Sequence, residues 1–185
     1  IKQELIGLIK LISFFKQLRH KKTLKETGFF FVNDLFNLVK YRQCILWLYS
    51  GKKVKLLCAS GQADAGSDSP LSEFLSKLLK ERIADKGFDQ LPETEEGNIE
   101  YVRLEKTTFS DYKDLPEEDV KEFISPHITN IYLYDDETLL GGVWIDNTAP
   151  LLGMEEAVVI DAADALAADI SRFKGQNNIS FQSFS

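Results

Sequence analysis

Apolar residues recur three or four positions apart in several long segments of the chain, the spacing that places them on one face of an α-helix. Four such segments are 5–18, 29–39, 71–85 and 153–174. The pair Thr27-Gly28 predicts a turn before the second segment, and Gly87 and Gly175 are expected to end the third and fourth. A short additional helix is predicted near Pro116, because proline is favoured in the first turn of a helix.

Strand-like segments lie between these helices. Residues with β-branched, aromatic or alternating character occupy 44–49, 54–59, 99–104, 128–134 and 139–146. The short polar links 50–53 and 135–138 predict that the first two and the last two strands form β-hairpins. Since hairpins are antiparallel, the chain is predicted to be α+β, with a central antiparallel sheet of about five or six strands.

Composition agrees with one globular domain. The chain has 185 residues, of which 44% are hydrophobic and 28% charged, which excludes intrinsic disorder. A domain of this size can bury a full core without disulfides. The two cysteines, Cys44 and Cys58, are too few for a disulfide scaffold or a four-ligand zinc site.

Charge is distributed unevenly along the chain. The net charge of −7 argues against a nucleic-acid partner for the domain as a whole, because phosphate binding needs a basic face. The first 25 residues are nevertheless basic. Their single acidic residue is Glu4, and their basic residues are Lys2, Lys10, Lys16, Arg19, Lys21, Lys22 and Lys25. This cluster is interpreted as the solvated face of an amphipathic helix, with contact to anionic lipid or nucleic acid as the alternative.

The apolar run 5–18 (LIGLIKLISFFKQL) raises the question of a membrane or signal segment. It is shorter than the roughly 20 residues that a membrane span needs, and it contains two lysines. No small-residue cleavage site follows it, so a secretory signal is not indicated and a cytoplasmic location is expected. Its apolar stripe, formed by Leu5, Leu8, Ile9, Ile12, Phe15 and Leu18, must be covered by the domain's own sheet or by a second chain.

The order of elements, with a long helix at each end and a central antiparallel sheet, resembles that of the GAF domain, a sensory module related to PAS domains. The likeness covers 25–174 and is most specific in residues 41–47 (YRQCILW) and 140–146 (LGGVWID), the latter at the place of a glycine-led strand in the family. The first of these segments is also similar to GAF proteins found beside bacterial efflux or membrane-fusion adaptor proteins. The resemblance divides the chain into an N-terminal helix (1–24), a GAF-like domain (25–174) and a C-terminal tail (175–185).

The resemblance also implies a layout for the molecule. The terminal helices would pack on one face of the sheet and pair into a dimer, while the other face and its crossing helices would enclose a small-molecule pocket. Aromatic residues and one histidine near the predicted strands are the candidate pocket residues: Trp47, Tyr49, Tyr101, Phe109, His127, Tyr132 and Trp144. Alternation puts Trp47 and Tyr49 on one face, and likewise Tyr132 and Tyr134, and such a face is either core or pocket wall.

No motif identifies a reaction, a cofactor or a metal site. Nucleophile elbows, phosphate-binding loops and paired metal ligands are all missing from the sequence, and no catalytic residue is assigned. Some GAF domains bind haem through histidine, for which His20 and His127 are the candidates, but a lone histidine is more often a loop residue. Cys44 and Cys58 lie within the first hairpin, where buried and inert thiols are the usual outcome.

The sequence therefore favours a non-enzymatic sensory or regulatory domain. It is expected to bind a small molecule and to form a homodimer through 5–18 and 157–170, with a linked effector domain or a membrane partner as further possibilities. Ligand binding would change the arrangement of the terminal helices. Two alternatives remain: an assembly module whose pocket is filled by side chains, and a redox enzyme on the same scaffold, similar to methionine sulfoxide reductases.

Overall fold

A computed structural model describes residues 2–61, 69–86, 99–105, 117–136 and 138–177. Phe109 lies outside these residues, as do most of the link between the second strand and the third helix and the glycine at position 87. The elements, in chain order, are α1 (Lys2–Arg19), α2 (Leu24–Asp34) with a following 3₁₀ turn (Leu35–Asn37), β1 (Gln43–Ser50), β2 (Lys53–Ala59), α3 (Pro70–Lys86), β3 (Ile99–Glu105), α4 (Glu117–Phe123), β4 (His127–Asp135), β5 (Thr138–Asn147) and α5 (Met154–Asn177).

The strands form one antiparallel sheet in the order β2-β1-β5-β4-β3, which confirms the α+β class. Both predicted hairpins are present, β1 with β2 and β4 with β5. The first turns at Gly51 and Lys52, whose φ angles of 58° and 64° are those of a tight hairpin turn. The hairpins join where β1 pairs with β5, so strands from opposite ends of the chain meet at the centre of the sheet.

The two faces of the sheet carry two separate apolar cores. On the helix face, α1, α2 and α5 pack over alternate strand residues such as Cys44, Leu46 and Leu48. On the opposite face, which we call the aromatic face, α3 and α4 pack over Ile45, Trp47 and their neighbours. The terminal helices thus lie on one side of the sheet and the crossing helices on the other, as the resemblance implied.

Helix α2 begins earlier than predicted. Thr23 caps it, because its Oγ1 accepts the N–H of Glu26 at 3.1 Å, while the Glu26 carboxylate accepts the N–H of Lys22 at 3.4 Å. Thr27 and Gly28 therefore lie inside the helix, and the predicted turn is wrong. The glycine has a packing role, since a Cβ at Gly28 would lie 2.9 Å from a methyl carbon of Leu46.

Helix α5 differs from the prediction at its end and in its buried face. It continues through Gly175 to Asn177, so glycine does not end it; within a helix this residue costs only about 1 kcal/mol relative to alanine. Ala157 is exposed, whereas Ala163, Ala167 and Ile170 are buried as predicted. The face that packs on the sheet comprises Val159, Ala162, Ala163, Leu166, Ala167, Ile170 and Phe173.

Helix α1 is docked only through its second half. Phe14 and Leu18 are buried in the core of the helix face, and the Phe14 ring stacks on Phe30 with centroids 5.3 Å apart. Residues 2–10 are all exposed, so the first half of α1 buries no side chain in the domain. In the part of the chain that the structure describes, no helix is both long and apolar enough to cross a membrane.

Candidate functional site

The two segments that carried the family resemblance meet at the centre of the sheet. Trp47 on β1 lies directly opposite Gly142 on β5, and its indole ring covers that glycine. A Cβ at position 142 would lie 2.2 Å from Cζ2 of Trp47, and one at Gly141 would lie 2.1 Å from the Trp47 carbonyl oxygen. The glycine pair is therefore what allows the tryptophan to lie across β5.

Three predicted pocket residues form one buried group, which we call the aromatic cluster: Trp47, Tyr132 and Trp144. The rings of Trp47 and Tyr132 meet edge to face, with centroids 5.8 Å apart and planes at 86°. All three side chains are at most 2% exposed. Phe74, Leu75, Leu78 and Leu79 of α3 belong to the same core.

A polar residue that sequence reasoning missed lies within this cluster. Asn130 is fully buried, and its Oδ1 accepts the indole N–H of Trp47 at 3.3 Å. Its Nδ2 has no hydrogen-bond partner among the described residues. The signal in the sequence was an asparagine in the middle of an otherwise apolar strand, His127–Asp135, where a buried amide needs a structural or functional reason.

An ionic contact closes one end of the aromatic face. Asp146, at the end of β5, is 2% exposed, and its Oδ2 lies 3.6 Å from Nη1 of Arg42. The same Nη1 donates to Oγ of Ser125 at 2.6 Å, just after α4. Arg42 thereby joins the start of β1 to the end of β5 and to the chain that leaves α4.

The remaining predicted site residues are dispersed. Tyr49 lies at the edge of the aromatic face, where burial raises the pKa of its hydroxyl. Tyr101 lies on the helix face, with its hydroxyl 3.5 Å from Oγ1 of Thr129. His127 lines a cleft of about 430 Å³ at the end of the sheet, beside the segment that leads into α5. The structure thus brings together three of the seven predicted residues in the aromatic cluster, and Phe109 lies outside the described residues.

The cysteines do not form part of this site. Cys44 and Cys58 are buried on the helix face, on the opposite side of the sheet from the aromatic cluster. Burial raises the pKa of the Cys44 thiol well above its ordinary value and that of the Cys58 thiol to about 12. Both thiols are therefore protonated near neutral pH and are poor nucleophiles. Among the residues described, no group of three or more metal-ligating side chains is found.

A second exposed feature lies on α1. Leu5, Leu8, Ile9 and Ile12 are 53–59% exposed and lie on one side of the helix, and we call them the outer stripe. At 100° per residue their centre is about 150° from the direction of Phe14 and Leu18, which face the domain. A groove of about 310 Å³ between α1 and α2 begins beside the stripe at Ile9. The other predicted dimer surface differs, because Ala163, Ala167 and Ile170 are already covered by the domain itself.

The chain has the fold of GAF domains. It is similar to the GAF domain of an Acinetobacter phosphoenolpyruvate-protein phosphotransferase (15% identity, TM-score 0.62, 95% of this chain and 98% of the other). It is similar to the corresponding domain from Coxiella burnetii (15% identity, TM-score 0.63, 94% of this chain and 97% of the other). A segment of a methyl-accepting chemotaxis protein also has a similar structure (13% identity, TM-score 0.62, 90% of this chain and 99% of the other). No protein-family model and no curated protein matches the sequence.

Proposed function

We propose that this chain is a non-enzymatic sensory domain. It binds a small molecule against the aromatic cluster, dimerises through the outer stripe of α1, and passes a ligand-dependent change to its terminal helices. The GAF fold supports this proposal, since a chemotaxis protein is among the structures that share it.

The observation that carries ligand binding is the unpartnered amide of Asn130. A buried N–H without an acceptor costs about 1–3 kcal/mol, so natural proteins rarely keep one without a reason. Here the Nδ2 group of Asn130 belongs to a residue that is fully buried and bonded to Trp47. A ligand with a hydrogen-bond acceptor would satisfy the amide, and a planar ligand would also pack against the rings.

Binding at this cluster can reach the terminal helices through β1. Trp47 faces the aromatic side, while its neighbours Leu46 and Leu48 face the helix side and belong to the core that holds α1, α2 and α5. A shift of Trp47 on ligand binding would therefore change the packing of both sides of one strand. Such a change biases the helices only if the ligand binds one arrangement better than the other.

Native mass spectrometry of protein purified from cells tests ligand binding. The wild-type protein is expected to retain a small molecule, and Asn130→Leu to lose it because the variant has no amide to donate. The matched control is Thr129→Val, whose neighbouring side chain is also buried but faces the other side of the sheet. Thermal unfolding of each variant verifies folding. Equal retention by both variants would contradict the assignment of Asn130.

The outer stripe of α1 supports dimerisation. Contiguous exposed leucine and isoleucine side chains on a helix are typical of an interface between chains. Ile9→Glu is expected to convert a dimer to a monomer in light scattering, since it buries a charge at the centre of the stripe. Gln3→Glu, which adds the same charge to an exposed position outside the stripe, is expected to leave the dimer intact. A monomeric wild-type protein would refute this part of the proposal.

One alternative is also favoured by an observation. The aromatic cluster is packed among side chains of α3, as expected of an assembly module whose pocket is filled. If purified protein retains no ligand while the dimer persists, that alternative replaces the sensory proposal. The redox alternative has less support, because both thiols are buried away from the cluster. Loss of sulfoxide reduction in Cys44→Ser or Cys58→Ser would revive it.

A further inference from the structure

The outer stripe has a symmetry that bears on how two copies meet. Its four residues, Leu5, Leu8, Ile9 and Ile12, are spaced symmetrically about the midpoint between Leu8 and Ile9. If a second copy of α1 runs in the opposite direction, Leu5 of each helix lies beside Ile12 of the other, and Leu8 beside Ile9. A two-fold axis through that midpoint therefore makes the stripe complementary to itself, as a symmetric dimer interface requires.

Beyond Ile12 the same side of the helix becomes basic. Lys16 and Arg19 follow at spacings of four and three, so they continue the stripe toward the C-terminus of α1. In a parallel pair, with helix axes about 8–10 Å apart, each of these cations would face its own counterpart. Lys21, Lys22 and Lys25 would add to the repulsion at the same end.

The antiparallel pair separates these charges. With a rise of about 1.5 Å per residue, the two copies of Lys16 would be about 22 Å apart along the axis and those of Arg19 about 32 Å. Both separations exceed the Debye length of about 8 Å at physiological ionic strength. The helix end that comes opposite Lys16 carries Lys2 and Glu4, whose charges cancel.

We propose that two copies of this chain pair through α1 in an antiparallel arrangement centred between Leu8 and Ile9. The exposure of residues 2–10 leaves room for this, because the first half of each helix buries no side chain in its own domain and can lie beside the docked half of the other. This inference rests on the dimerisation proposed above and specifies its direction and register.

Disulfide cross-linking of two single-cysteine variants tests the arrangement. Leu5→Cys and Ile12→Cys are prepared separately with tags of different mass, then oxidised alone and as a mixture. The antiparallel pair predicts a cross-linked dimer that forms only in the mixture and contains one chain of each variant. Cys44 and Cys58 can remain, since both are buried. Gln3→Cys, mixed with Ile12→Cys, is the control and is expected to give little product.

Each other outcome has a defined meaning. Cross-linked dimers formed by Leu5→Cys alone and by Ile12→Cys alone would indicate a parallel pair and overturn the arrangement while leaving dimerisation intact. A dimer in light scattering that gives no cross-link in any sample would place the interface elsewhere. Monomeric protein throughout would refute the proposed dimer itself.

Discussion

The hydrogen bonds of Thr27 on the helix face and of Trp47 on the aromatic face differ in how far apart their partners lie in the chain. On the helix face, the hydroxyl of Thr27 is bonded within its own helix, to the carbonyl oxygen of Thr23 four residues away. On the aromatic face, the indole of Trp47 is bonded to Asn130 and the guanidinium of Arg42 to Ser125, each 83 residues apart. The Thr27 hydroxyl is thus satisfied within its own helix, whereas the side chains of Trp47 and Arg42 depend on segments that are far apart in the chain.

This difference suggests where the domain tolerates change. A helix keeps its internal hydrogen bonds when its neighbours shift slightly, so the bond between Thr27 and Thr23 does not depend on how α2 packs on the sheet. The aromatic face has a fully buried amide and a ring held over a glycine, so a small displacement there breaks specific contacts. We expect ligand binding to act on the aromatic face and the response to appear in the helices.

The largest expected effect is on the free energy of unfolding, and it differs between Gly142 on the aromatic face and Gly28 on the helix face. Gly142→Ala would place a Cβ 2.2 Å from the Trp47 ring and 2.8 Å from the Ile131 carbonyl oxygen, so we expect a loss of about 3 kcal/mol in the free energy of unfolding. At Gly28 the nearest atoms are side-chain ends at 2.9–3.2 Å, and alanine favours the helix by about 1 kcal/mol. Gly28→Ala should therefore change stability by about 1 kcal/mol or less. Urea denaturation measures both, and equal losses would contradict the comparison.

A smaller effect is expected from the ion pair on the aromatic face. Arg42→Ala leaves the buried carboxylate of Asp146 without its guanidinium, and we expect a loss of about 2 kcal/mol, reduced from the fully buried case because Arg42 is half exposed. Arg172→Ala, which removes the contact with Asp169 within α5, should cost about 0.5 kcal/mol. In the double variant Arg42→Ala/Asp146→Asn, part of the first loss should return. A double variant less stable than Arg42→Ala would refute the electrostatic explanation.

A further effect is absent at neutral pH and appears only at alkaline pH. Burial raises the pKa of Cys44 and Cys58 above the ordinary value of 9.0, so the folded protein holds thiol protons that the unfolded chain releases. This contribution to stability is complete below about pH 9 and is lost as the pH rises, by about 1 kcal/mol per thiol between pH 9 and 10. In the double variant Cys44→Ala/Cys58→Ala, the free energy of unfolding measured by urea denaturation should fall less steeply between pH 9 and pH 10. Tyr134→Phe should change the pH dependence of stability only above pH 10, because burial raises the pKa of that hydroxyl from 10.0 to about 12.

Much of the fold was predictable because its signals are local. The strands of both hairpins follow from alternating or apolar runs bounded by turn residues, and the division of Trp47 and Leu46 between faces follows from strand geometry. The start of α2 was predicted wrongly because Thr27-Gly28 read as a turn. The capping pair Thr23 and Glu26 was the signal that should have decided it.

Less of the candidate site was predictable, because it depends on contacts between distant segments. Aromatic content near the strands identified Trp47, Tyr132 and Trp144, which the structure brings together, but also Tyr101, which lies on the opposite face. Asn130 was missed, since its importance comes from the indole that it contacts and from its burial. The dispersal of His127 to the end of the sheet likewise follows from strand register.

The sequence by itself determined the class of fold, the order of elements, the basic character of α1 and the presence of its apolar stripe. These follow from periodicity and charge, which are properties of neighbouring residues. Only the tertiary structure decided that Phe14 and Leu18 are buried while Leu5, Leu8, Ile9 and Ile12 remain exposed. It also decided that Trp47 lies over Gly142 beside an unpartnered amide, because β1 and β5 are adjacent only after the chain between them has folded.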